Sequence, residues 1–223
     1  MRNGIIASWS LSEKDNNTAI DFTVQACITT HWHPLCVLAC VIHTMLIRNA
    51  VLNNLSGVNW DTVRDIITKD WYTWKTQKTA SSSKDASAAW LHNVEQMLPY
   101  EEEMLLQHLL GFEEEFDPFQ VELENLYQQS KSVVYTLKIA LWSLYWSFKK
   151  DSNEVSAFKP VFFPSYVFQK RGFESLCMVP LCGQDSNSYG SVAGALLAAF
   201  HPHIPQPLLD KLSVHSHIQN VNL

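Results

Sequence analysis

The sequence predicts an all-α fold, on three observations. Apolar residues recur at helical spacing through most of the chain. Glycine (7) and proline (9) are sparse among 223 residues, below the roughly 7% and 5% of average usage, so a turn-rich β architecture is disfavoured. Hydrophobic residues make up 47% and charged residues 17%, which suits one packed core and excludes a disordered chain.

Charge and cysteine content narrow the partners. The net charge of −6 opposes nonspecific binding to phosphate backbones, which relies on clustered Lys and Arg; no basic stripe with interleaved aromatics, and so no nucleic-acid groove, is expected. Five cysteines (Cys27, Cys36, Cys40, Cys177, Cys182) lack C-x-x-C spacing, so free thiols are expected in a reducing compartment. The amino terminus lacks a sustained apolar leader, and no uninterrupted run reaches the roughly 18 apolar residues of a membrane span. The expectation is a soluble cytoplasmic protein with no membrane contact.

Residues 1–23 read as a poorly ordered extension, 24–212 as the folded domain and 213–223 as a tail. The first strong pattern runs from Pro34 to Asn54, where Leu35, Leu38, Val41, Ile42, Met45 and Leu46 recur at helical spacing. Pro34 suits a first turn, and the nearly all-round apolarity makes this helix central. His43 on it reads as a core or boundary histidine. Val63, Ile66, Ile67, Trp71 and Trp74 predict a second helix, capped by Asn59 or Asp61. Lys75 to Ser87 is rich in Ser and Thr and reads as a mobile loop. Helix resumes from Ala88 to about Leu110, interrupted near Pro99; the acidic runs 101–103 and 113–115 read as a solvated face. Ser130 to Lys150 is another helix, with Val134, Leu137, Leu141, Leu144, Tyr145 and Phe148 on one face. FKPVFFPS predicts a packed loop, and a short helix is expected over 172–178.

Two segments carry candidate chemistry. In GQDSNSYGSVAGALLAAF, residues 183–200, Val192, Ala193, Leu196, Leu197 and Phe200 predict a helix starting near Ser188. Gly190, Gly194 and Ala198 would let a neighbour approach closely. Asp185, Asn187 and Ser188 precede it with three side-chain oxygens, a set that suits a hard cation and equally an ordinary N-cap. The second segment is TTHWHP, residues 29–34, with two imidazoles at a helix entrance, able to meet a phosphate or sugar or simply to form a surface turn.

Together and in this order, Thr-His-x-His-Pro before a long apolar helix, Gly172-Phe173-Glu174, and Gly183-Gln184-Asp185-Ser186-Asn187-Ser188 before the Ala-Gly-Ala-Leu-Leu helix resemble the ADP-ribosylglycohydrolase family and its crystallin relatives. The tract from Ser130 to Trp146 is similar to the family's penultimate helix, and the likeness spans about residues 24–212. The resemblance implies a compact multi-helix domain whose cleft holds two Mg²⁺ ions and hydrolyses the glycosidic bond between ADP-ribose and an acceptor. It implies Asp185, Asn187 and Ser188 as metal ligands and Thr30 and His31 as substrate contacts, with ADP-ribosylated protein or ADP-ribose as ligand. No general acid or base is implied for any residue here.

The sequence departs from that pattern at two places. Asn187 stands where the family has a second aspartate, which removes a charge from a site meant for two divalent cations. The family's opening Gly-Asp helix and Thr-Asp-Asp-Thr segment have no counterpart. The expectation is therefore a truncated member with at most a partial Mg²⁺ site and impaired hydrolysis, a pseudoenzyme in the limit. The alternative is a noncatalytic ADP-ribose-binding or crystallin-like structural remnant. Apolar surface left uncovered by missing helices would favour oligomers.

Overall fold

The computed structural model describes residues 3–13, 15–53, 55, 58–80, 86–95, 106, 133–148, 175–176, 179–180, 182, 185–203 and 206. Among them there is no strand; seven helices are α1 (Asn3–Trp9), α2 (Asn16–Ile28), α3 (Pro34–Leu52), α4 (Trp60–Ala80), α5 (Ala86–Glu95), α6 (Val133–Phe148) and α7 (Ser186–Phe200). The protein is all-α.

Local chemistry sets the helix ends. Asp15 caps α2 by accepting from the N–H groups of Asn17 and Thr18, which lowers its carboxyl pKa, the Thr18 hydroxyl contributing most. His33 caps α3 through Nδ1, which accepts from the Leu35 N–H, and Pro34 follows as the first helical residue. Of the two caps expected for α4, Asn59 is the one used, with Oδ1 2.9 Å from the Thr62 nitrogen.

α3 is the axis of the molecule. Fourteen of its nineteen residues are buried, from Pro34 through Ala50. By length and composition it could cross a bilayer, yet most of it is covered by the protein's own helices, and a core helix has the same composition. α4 contributes the stripe Trp60, Val63, Ile67, Trp71 and Trp74, all buried at spacings of three and four. α6 is apolar over most of its girth, from Tyr135 to Leu144. α7 buries Tyr189, Ala193, Leu196, Leu197 and Phe200. Each such aliphatic or aromatic side chain contributes roughly 1.5–3 kcal/mol on burial.

Side-chain contacts fix the directions of these helices. α1 runs with α3, since Asn3 meets Cys40 and Thr44 while Ser10 and Glu13, further along, meet Arg48. α2 runs against it, pairing Asn16 with Arg48 and Thr23 with Thr44. α4 runs with α2, so that Asn16 reaches Asp70 while Asp21 meets Trp74 and Lys78. α6 and α7 lie side by side in one direction, with Tyr135 against Tyr189 at one end and Phe148 against Phe200 at the other. Trp60 packs on Tyr145, which ties the end of α6 to the start of α4, just beyond the end of α3. α3, α6 and α7 therefore start at the same end of the bundle.

Several expectations are corrected. Residues 3–12 and 16–23 are helical, not a poorly ordered extension: Ala7, Ser10, Ala19, Ile20 and Thr23 are buried against the rest of the domain. Polar composition hid this, because the polar residues bond inward; Arg48 is 1% exposed and donates to the Ser10 and Glu13 carbonyls and to Asn16 Oδ1. The loop expected over 75–87 is helix up to Ala80 and again from Ala86, because Lys78 and Trp74 both engage Asp21 of α2. α7 starts at Ser186 instead of Ser188. A Cβ on Gly190 would meet nothing within 4 Å, and one on Gly194 only a Leu176 methyl at 3.8 Å, so neither permits a close approach; that occurs at Gly4, where a Cβ would lie 3.4 Å from Ala195 Cβ. The helix expected over 96–110 beyond Leu106, the acidic runs, FKPVFFPS, Gly172-Phe173-Glu174 and the 213–223 tail lie outside the described residues.

Candidate functional site

The turn between α2 and α3 and the start of α7 stand at the same end of the bundle. His43 of α3 bonds the Val192 carbonyl of α7 through Nε2 at 3.1 Å. From that contact the start of α3 is about 13 Å back along the helix and Asp185 about 10 Å back along α7, at 1.5 Å per residue. Sequence-distant segments 29–34 and 185–188 thus reach a similar height. That shared end is the result of helix direction, which no local pattern encodes.

The turn is held firmly. The Thr30 and His31 N–H groups both donate to the Cys27 carbonyl, at 3.0 and 2.8 Å. The Trp32 carbonyl accepts from Trp90 Nε1 of α5 at 3.1 Å. Thr30, His31, Trp32 and His33 nevertheless all remain exposed.

Hydrogen bonding assigns the two imidazoles opposite tautomers. The Thr30 hydroxyl donates its hydrogen to the Cys27 carbonyl, so His31 Nδ1, 2.9 Å from the same oxygen, is the donor there. The neutral ring then carries a lone pair on Nε2. His33 Nδ1 accepts from a backbone N–H, so its hydrogen sits on Nε2. One exposed acceptor and one exposed donor flank Trp32.

At the start of α7, Asp185 occupies the N-cap position but makes no side-chain capping bond. Of the two roles open to it on sequence, capping is the one its geometry does not perform. Ser188, three residues on, shares its face; Asn187 projects to another side and is exposed. Tyr189 lies beneath, its edge toward Tyr135 at 5.9 Å. Burial, and then the charge of Asp185, push the Tyr189 hydroxyl up to about 12. Among the described residues no group of three His, Cys, Asp or Glu is placed to hold a metal.

Two features escaped the sequence reading. Lys138 on α6, within the run VVYTLKIALW, is only 6% exposed, and burial lowers its ammonium to about 8. A lone lysine in an apolar helix was the available signal. Cys27, Cys36 and Cys40 converge where α2 meets α3: a hydrogen bond to Cys27, then burial, raise the Cys40 thiol, while burial raises Cys36. These cysteines, like Cys182, form no disulfide among the described residues, and Cys27 Sγ approaches the His31 carbonyl at 3.7 Å.

The chain matches the ADP-ribosylglycohydrolase family over residues 1–222. It belongs to that family. The match extends beyond the 24–212 likeness carried by the motifs and includes α1 and α2. No curated protein and no solved structure matches the chain. Family membership makes the chain a hydrolase-type protein with ADP-ribosylated groups as its ligand class. Of the short motifs on which the sequence resemblance rests, the turn at 30–33 and the start of α7 lie among the described residues.

Proposed function

We propose that this protein binds an ADP-ribosyl group at the end of the bundle where the 29–34 turn and the start of α7 stand, with hydrolysis of its glycosidic bond impaired. The observation that carries the reading is Asp185: a carboxylate at an N-cap position, yet not used for capping, at the same end as Thr30 and His31. His31 Nε2 accepts from a ribose hydroxyl, and the Thr30 hydroxyl, which orients that ring, completes the contact.

The oxygen chemistry of Asp185 and Ser188 fits one hard divalent cation such as Mg²⁺. It does not fit two, because the first turn of α7 itself holds no acidic residue and Asn187 brings an amide oxygen without charge, on the exposed side. A bound Mg²⁺ would supply positive charge that orients ribose hydroxyls and water. Holding such an ion falls to Asp185, and the missing second carboxylate is why turnover is expected to be weak.

Calorimetric titration with ADP-ribose, in Mg²⁺ and then in EDTA, tests the reading. Binding that weakens in EDTA, and loses its Mg²⁺ dependence in Asp185→Ala, supports it. Absence of heat from folded protein under both conditions refutes it and leaves a structural role. Release of ADP-ribose from an ADP-ribosylated protein, at a rate indistinguishable from the uncatalysed one, is the expected companion result.

A further inference from the structure

Resting on that reading, we propose that Trp32 and His33 form the subsite for the adenine and diphosphate half of the ligand: the indole stacks on the base while His33 Nε2–H donates to a phosphate oxygen. Trp32 is 53% exposed, an unfavourable place for so large an apolar ring in a chain that buries Trp60, Trp71, Trp74, Trp90 and Trp142. The exposure is not the result of a loose turn. The backbone is bonded immediately before the indole at His31, at the indole residue itself through its carbonyl, and immediately after it at the His33 cap and Pro34.

A ring held out by a rigid backbone loses little freedom when a planar ligand covers it, which favours stacking. Every purine offers a π face, and an indole is the largest partner among side chains. His33 supplies what a base alone would not require. Its Nδ1 is committed to the Leu35 N–H, so its exposed nitrogen is a fixed donor, suited to an anion in a protein whose own net charge is −6. His31, with the opposite tautomer, suits a hydroxyl donor instead. Acceptor, ring and donor on one turn match the three chemistries of the ligand: a ribose hydroxyl, a base and a phosphate oxygen.

The test compares ADP-ribose with ribose 5-phosphate, which lacks the base, on wild type, Trp32→Ala, Trp32→Phe and His33→Asn. Trp32→Ala should weaken ADP-ribose about tenfold or more and leave ribose 5-phosphate unchanged; Trp32→Phe should hold within about threefold. ADP-ribose should quench indole fluorescence in wild type, and Trp32→Phe should lose that quench while still binding. His33→Asn keeps a capping oxygen but loses the donor, so it should weaken both ligands by about fivefold. Circular dichroism and thermal melts should match wild type in every variant, because it is the Trp32 carbonyl, not its ring, that is bonded. If Trp32→Ala binds ADP-ribose like wild type, or loses both ligands equally, the subsite is wrong while the binding reading stands. If wild type binds no ADP-ribose, both fall.

Discussion

His43 joins three helices, and its titration should be readable in the stability of the whole domain. Its Nδ1 takes a hydrogen bond from Asn3 Nδ2 of α1 at 3.0 Å, and its Nε2 donates to the Val192 carbonyl of α7 at 3.1 Å. Burial dominates, lowering its pKa from 6.5 to about 4 against a smaller upward pull from the Val192 carbonyl. With the folded pKa below the unfolded one, the unfolded chain takes up the proton first. Stability contributed by neutral His43 is therefore complete above about pH 7.5 and is lost as the pH falls from 6.5 toward 4. Linkage over that shift gives about 2 kcal/mol lost between about pH 7.5 and about pH 5, and about 3 kcal/mol by pH 4. Urea denaturation followed by tryptophan fluorescence at the two higher pH values measures it. His43→Gln supplies the control, since its amide can accept from Asn3 and donate to Val192 without titrating. The reasoning fails if wild type loses no more stability than His43→Gln over that interval.

Three further outcomes are expected. Arg48→Ala should destabilise by about 3 kcal/mol in the same assay, because the Ser10 and Glu13 carbonyls and Asn16 lose their charged donor; a cost under about 1 kcal/mol would show that the α1–α2 segment is not anchored there. Asp15→Ala should cost about 1 kcal/mol of stability as a lost cap, whereas Asp185→Ala, which removes no capping bond, should leave the melt unchanged; equal costs would undo the argument that the Asp185 carboxylate is reserved. Gly190→Ala should raise stability by about 0.5–1 kcal/mol, since the added Cβ meets nothing within 4 Å, and a loss in thermal melts would count against the described start of α7.

Periodicity alone determined the course of the long helices. The apolar run beginning at Pro34 and the stripe Val63, Ile67, Trp71, Trp74 could fold in water only by burying those faces, and so could the helix ending at Phe148. The motifs at 29–34 and 185–188 were visible for the same reason, each a polar cluster standing directly before such a helix. The first 23 residues were illegible because their helices are held by Arg48 and Asp70, residues distant in sequence that satisfy Ser10, Glu13 and Asn16. Composition registers these residues as polar and cannot register that they are paired. That Asp185 makes no side-chain capping bond was likewise beyond sequence, since capping is a matter of side-chain direction. That the two motifs share one end of the bundle was decided by tertiary structure alone: it follows from α7 running parallel to α3, a direction set by packing between helices some 150 residues apart and invisible to any local pattern.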